Sequence, residues 1–196
     1  ADRATLGQRC YLTDPEVTLS PTDRPRSYKS SDWLAALSGR IAPNWTAEGA
    51  MQHNPRDGRS ERLTLSARYQ PELFKILNLS YRYLRDQVAA VDISAQWPLG
   101  GGLYGVARYN YSVRDRHPIE MLGGLEYNGD CWVLRGVVQR FATATGQTTN
   151  AFFLQLELSG FSRIGSNPLE VLKRNIPGYT RLNQAPSVNQ TVDYFD

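Results

Sequence analysis

The sequence predicts an all-β fold, an antiparallel transmembrane β-barrel, on three observations. Nine segments alternate with a two-residue period, the apolar face of each carries no charge, and the connections between them alternate short and long. Strict alternation places successive side chains on opposite faces of a strand, so one face is uniformly apolar and the other carries Arg, Glu and Asp. A soluble antiparallel sheet also alternates, but it buries its apolar face and usually includes strands of mixed pattern. An Arg or Lys on a lipid-facing position costs roughly 2 to 4 kcal/mol at mid-bilayer, so a charge-free face is what a barrel in lipid requires.

In chain order, 4–12 reads as a first strand whose alternation is interrupted by Gln8, Arg9 and Cys10. Segment 33–41 turns Trp33, Ala35, Leu37, Gly39 and Ile41 outward and Arg40 inward. Segments 45–51 and 63–69 follow, with Glu48, Arg62 and Arg68 inward. Segments 77–83 and 89–97 place Arg82 and Asp92 inward. In 103–113 and 119–127 the inward charges are Arg108, Glu120 and Glu126, and in 132–138 it is Arg135. The last segment, 152–160, directs Phe152, Leu154, Leu156 and Leu158 toward lipid and Gln155 and Glu157 inward. All of these inward charges are expected to line a polar lumen, in a barrel portion of about ten strands over 1–161.

The connections at 42–44, 70–75, 98–102 and 128–130 are tight and carry Pro, Gly or Asn. Those at 13–32, 54–60, 114–118 and 142–149 are mostly longer, with 85–87 the short exception. Outer-membrane barrels keep short turns in the periplasm and long loops outside, which assigns a side to every strand end. Trp45, Tyr69, Trp97, Tyr127 and Trp132 collect on the short-turn side as an aromatic girdle. Trp33, Tyr83 and Tyr111 mark the other side. After Phe161 the alternation stops; 167–174 reads as a short helical turn ended by Ile176-Pro-Gly-Tyr179. Residues 162–196 are expected to form a periplasmic tail folded against the barrel or its plug.

The chain has 196 residues, is 41% hydrophobic and has a net charge of +3. Its mean hydropathy of -0.46 fits a barrel, whose signal lies in alternation and not in the average. The charge is too small to imply nucleic acid, and no nucleic-acid motif is present. The sequence opens on Ala1-Asp-Arg3 without the charged and apolar regions of a signal peptide, so either a signal has been removed or this is an internal piece of a longer polypeptide, and the second reading is preferred. The two cysteines, Cys10 and Cys131, lack zinc-site spacing. They fall at opposite rims, about 25 Å apart, and are not expected to pair with each other.

The segment Gly124-Leu-Glu-Tyr-Asn-Gly-Asp-Cys-Trp-Val-Leu-Arg135, then Phe152-Phe-Leu-Gln-Leu-Glu-Leu-Ser-Gly160 and Leu172-Lys-Arg-Asn-Ile-Pro-Gly-Tyr179, resembles the C-terminal part of the LPS-assembly protein LptD family. Gly7-Gln-Arg-Cys-Tyr-Leu12 and Leu79-Ser-Tyr-Arg-Tyr83 are similar to the same family, so the resemblance spans nearly the whole chain. It implies translocation of lipopolysaccharide into the outer leaflet of the Gram-negative outer membrane. The implied partners are the plug lipoprotein LptE, a periplasmic jellyroll domain fed by a periplasmic bridge, and outer-membrane lipid. It implies further that the last strand, about 151–160, forms one side of a lateral exit seam through Phe152, Leu154, Gln155, Leu156, Glu157 and Leu158. Family members carry two adjacent cysteines where this chain has Asp130 and Cys131, so the resemblance implies one disulfide from Cys131 to the N-terminal region and leaves the second without a match. A self-contained small barrel acting as a pore or anchor is the alternative; it requires 4–12 to pair with 151–160.

Arg24, Arg26, Lys29, Arg56, Arg59, Arg114 and Arg116 fall in the outer loops, where lipopolysaccharide phosphates and divalent cations lie. His53 and His117 sit at loop margins without a nucleophile at motif spacing. The inward carboxylates alternate with arginines as a charge ladder and not as an acid/base pair. No catalysis, cofactor or metal is therefore expected.

Overall fold

The structure is a computed structural model that describes residues 2–10, 30–54, 59–142, 148–158 and 163–182. The side chains of residues 8–10, 30–32, 59 and 163 lie outside the described set, as do the loop residues Arg24, Arg26, Lys29 and Arg56. Among the described residues there are ten long strands, a three-residue strand and one helix: β1 Arg3–Cys10, β2 Ser30–Ala42, β3 Trp45–Asn54, β4 Arg59–Glu72, β5 Lys75–Leu84, β6 Val88–Gly100, β7 Leu103–Ser112, β8 His117–Gly129, β9 Trp132–Ala142, β10 Thr148–Leu158, β11 Arg163–Gly165 and α1 Pro168–Asn175. The strands form one sheet in sequence order from β1 to β11. No helix among the described residues is long and apolar enough to cross a membrane, which says nothing about strands. A closed ten-strand barrel needs β1 against β10; in the observed order β1 stands at one end and β11 at the other.

The connections at the short-turn end are two-residue turns. Asn44 has φ 63° and Phe74 φ 64°, and Gly101 and Gly102 have φ 60° and 79°. The turn read over 70–75 is only Leu73 and Phe74, because β4 runs on through Pro71. A phenylalanine in the left-handed region is strained; its ring meets Tyr104 edge-on at 5.5 Å, a contact that offsets the strain. Gly102 is required where it stands. A Cβ there would lie 2.7 Å from the Asn128 carbonyl oxygen, which belongs to the neighbouring hairpin. Pro98 likewise lies inside β6, near its end, where one missing ladder donor is tolerated.

The chain divides into two compact units. The first comprises Ala1–Pro71, Asn78–Ile93 and Asn110–Pro118. In it, the β1/β2 register pairs Ala4 with Leu37 and Leu6 with Ala35, so the alternation of β1 matches that of β2 over these residues. Leu6, Leu37 and Leu65 are exposed on one face. Trp45 pairs with Tyr69 in the β3/β4 ladder, and their rings lie 4.8 Å apart. Arg85 and Glu61 form an ion pair at 2.9 Å, and Arg68 Nε donates to Asn78 Oδ1 at 2.9 Å.

The second unit comprises Glu72–Leu77, Ser94–Tyr109 and Ile119–Asp196. It contains a buried apolar cluster in which Ile76, Val106, Leu122 and Val137 from four strands meet Leu172 and Ile176. Phe153, Val171 and Tyr179 pack against that cluster. Every strand residue in it lies on the inward face, the one expected to be polar and wet. The opposite face exposes Leu125, Tyr127, Leu134, Val138, Phe152 and Leu154.

Candidate functional site

The segment from α1 to Leu182 lies on the inward face of the second unit, and its sequence explains how. Pro168 occupies the first helical turn, where its missing N–H costs nothing. Glu170 sits near the helix N-terminus, and Lys173 and Arg174 near its C-terminus, each favourable to the helix dipole. Leu169, Leu172 and Ile176 recur at three- and four-residue spacing and are buried. Tyr179 N–H then donates to Ile176 O at 3.0 Å across Pro177 and Gly178, the latter with φ 82°. Pro followed by Gly is the composition of a type II turn, and this turn points Tyr179 at the strands.

There Tyr179 Oη donates to Glu126 Oε1 at 2.6 Å. The same carboxylate receives Arg135 Nε at 2.9 Å and Gln96 Nε2 at 3.4 Å. Arg135 Nη1 donates to Glu157 Oε2 at 2.7 Å and to Gln155 Oε1 at 3.3 Å, and Nη2 to Leu182 O at 3.3 Å. Arg181 donates to the second oxygen of Glu157. The Gln96 amide pairs with the Thr180 backbone as a neighbouring strand would, donating at 2.9 Å and accepting at 3.0 Å. Beside this network, Arg108 Nη1 donates to Glu120 Oε2 at 2.8 Å and to Asn175 Oδ1 of α1, and Gln139 donates to Glu120 Oε1.

Two arginines and two glutamates in the Arg135 network balance in charge, and each carboxylate oxygen of Glu126 and Glu157 has a donor. That satisfaction lets such groups leave water. The Glu126 and Arg135 side chains have no exposed surface at all. Burial, and next the neighbouring Glu126 carboxylate, push the Tyr179 phenol well above its ordinary range. Tyr179 therefore stays protonated and donating at every physiological pH.

These placements differ from the sequence expectation in one respect. Glu126, Arg135, Gln155 and Glu157 lie on the face assigned to them, opposite Leu125, Leu134 and Leu154, but they are covered by the C-terminal segment and not open to water. Glu120 and Arg108 are joined in the adjacent pair. Arg40, Glu48, Arg62, Arg68, Arg82 and Asp92 belong to the first unit. Arg40 has its backbone N–H bonded to Asp2 at 3.1 Å. Sequence reading passed over Gln96, Tyr179 and Arg181. The available signal was the apolar residues Ile76, Val106, Leu122, Val133 and Val137 on a face that otherwise reads as polar. An apolar inward patch needs a cover.

On the other side of the sheet, Phe152 is 66% exposed and Leu154 and Leu158 are also exposed, while Leu156 is partly covered and pairs with Ile164 of β11. Cys131 is exposed and free in the turn before β9. Among the described residues no group of His, Cys, Asp and Glu is placed to hold a metal.

A family model, LptD, "LPS transport system D", matches residues 2–103. The LPS-assembly protein LptD of Aromatoleum aromaticum is 46% identical over 94% of this chain and 23% of its own length. The protein of the same name from Thiobacillus denitrificans is 49% identical over 93% of this chain and 25% of its own. That from an Azoarcus species is 43% identical over 96% and 24%. The chain thus spans about a quarter of the length of the curated relatives it matches.

Proposed function

The chain belongs to the LptD family, and we propose that it supplies strands of an outer-membrane β-barrel that moves lipopolysaccharide into the outer leaflet. One observation carries this reading: the sheet separates an exposed face of leucine, tryptophan and phenylalanine from a face holding charged networks. An amphipathic glycolipid needs such a division, because its sugars must stay solvated or hydrogen-bonded while its acyl chains enter hydrocarbon. The role is transport and not catalysis.

In this reading the remaining strands come from the rest of the full-length polypeptide. β10 forms one side of a lateral seam, with Phe152, Leu154, Leu156 and Leu158 toward acyl chains. Gln155 and Glu157 hold the strand to Arg135 on the inner side. Arg40, Glu48, Arg62, Arg68, Arg82 and Asp92 line the polar interior. The short-turn ends and the C-terminal segment face the periplasm. Cys131, exposed at that end, accepts a disulfide from the N-terminal jellyroll region. The plug lipoprotein LptE and the periplasmic bridge are the expected partners. Depleting the full-length protein in its native cell should stop newly made lipopolysaccharide from reaching the surface, read by modification of lipid A by an outer-leaflet enzyme. Undiminished surface delivery after depletion sinks the proposal.

A further inference from the structure

The outer edge of β10 is closed over part of its length by the chain that follows it. β11 turns back antiparallel, pairing Gln155 with Gly165, Leu156 with Ile164 and Glu157 with Arg163. The ladder then ends at Leu154 through a side chain. Ser166 N–H donates to Leu154 O at 3.0 Å in the ordinary way, but Leu154 N–H donates to Ser166 Oγ at 2.8 Å and not to a backbone carbonyl. The same hydroxyl also donates to Leu154 O at 3.0 Å. This hydroxyl satisfies the edge donor of Leu154 and frees the backbone to leave the sheet. Gly165 makes the departure possible: its φ is +110°, and a Cβ there would overlap the Leu154 carbonyl oxygen. Pro168 and the buried Leu172 then anchor the departing chain.

In an antiparallel strand the N–H and C=O groups directed to one side recur at every second residue. The edge groups beyond Leu154 therefore belong to Phe152, Asn150 and Thr148. On their other side β9 pairs with β10 along its whole length, from Thr148 opposite Ala142 to Leu158 opposite Trp132. Among the described residues no strand pairs with the outer edge at these three positions.

We propose that β11 and Ser166 form a strand-edge stop, which withholds Leu154 and Leu156 from an incoming strand and confines seam pairing to Thr148, Asn150 and Phe152. The inference rests on the seam reading above, in which the incoming strand is the first strand of the complete barrel. A seam so short is held by only a few main-chain bonds, whereas the β9/β10 ladder is continuous. Lateral separation then occurs at the seam and leaves β10 attached to its own sheet.

The test uses the full-length protein in native membranes with Cys10→Ser. Either Phe152→Cys or Leu156→Cys is combined with single cysteines placed in turn along the first strand of the barrel, and disulfides are trapped by oxidation. Phe152→Cys should trap one or two of those positions, and Leu156→Cys at least about tenfold less, because a disulfide needs Cα atoms within about 7 Å. Adding Gly165→Pro, which cannot adopt φ +110°, should release β11 and raise trapping at Leu156→Cys toward that at Phe152→Cys. Where that variant fails to assemble, Ser166→Ala should extend trapping to Leu154→Cys. Equal trapping at Phe152→Cys and Leu156→Cys in the unaltered background overturns the stop and leaves the seam standing. Trapping at neither position overturns both. Continued protection of Leu156→Cys in an assembled Gly165→Pro protein, or of Leu154→Cys with Ser166→Ala, overturns the assignment of the block to β11 and Ser166.

Discussion

Tyr179 Oη reaches Glu126 Oε1 at 2.6 Å across 53 residues of sequence, and this contact fastens the C-terminal segment to β8. Tyr179→Phe keeps the ring in the apolar cluster and deletes only the donor. A hydrogen bond to a charged group is worth about 1.5 to 3 kcal/mol, so the urea midpoint of the protein refolded in detergent should fall accordingly. An unchanged midpoint would show that the tail is held by its apolar residues alone.

The same phenol predicts an alkaline signature. Its pKa is raised in the folded state above the ordinary tyrosine value, so the neutral form is favoured by folding. The stabilisation is fully present below about pH 10, where the unfolded chain keeps its proton, and is lost as pH rises further. Stability should fall between about pH 10 and 12 with a slope of up to about 1.4 kcal/mol per unit from this one group. Tyr179→Phe should flatten that part of the profile. Equal slopes in the two proteins would refute it.

Arg135 neutralises Glu126 at 2.9 Å and Glu157 at 2.7 Å. Arg135→Met leaves Glu126 buried without its cation and Glu157 with Arg181 alone, and an uncompensated buried charge costs about 3 to 5 kcal/mol. Combining Arg135→Met with Glu126→Gln should recover much of the loss, because Glu157 keeps Arg181 as its partner and no unpaired charge then remains in the buried site. Denaturant midpoints of the single and double variants decide; a single variant as stable as the parent would contradict the network.

Leu172 is fully buried among Ile76, Val106, Leu122 and Val137. Leu172→Ala opens a cavity and should cost about 2 to 5 kcal/mol. It should also increase protease cleavage after Lys173 and Arg174. If the fragment pattern stays that of the parent, the helix does not cover the strands in solution.

Leu125 is exposed midway along β8. If that face meets hydrocarbon, Leu125→Arg should destabilise the membrane-embedded barrel by about 2 to 4 kcal/mol, and the same change at Leu99, near a strand end, by about 1 or less. Refolding into lipid vesicles across a urea series measures both. Equal costs at the two positions would argue against a bilayer on that face.

Strand order, face assignment and turn positions were legible in the sequence because each depends on local chemistry. A two-residue alternation settles which side chains share a face, as Leu37, Leu65 and Leu154 show, and short Asn- or Gly-bearing links set the hairpins. The family was legible in the residues around Cys131 and along β10. A tail folded against the barrel was expected over 162–196, but that it covers the inner face was not legible. Glu126, Arg135 and Glu157 read as wet lumen charges because each is polar on a polar face; their burial depends on Tyr179, Arg181 and Leu182, up to 53 residues away in sequence.

The amino-acid pattern alone therefore determined the sheet, because alternation and turn propensity act over a few residues. Tertiary structure alone decided that the helix and Ile176-Pro-Gly-Tyr179 fold back onto five strands, and that β11 caps the edge of β10 at Leu154. The first spans up to 53 residues and the second at most 12, and each is held by surfaces and hydrogen-bonding groups that meet only once the chain has folded.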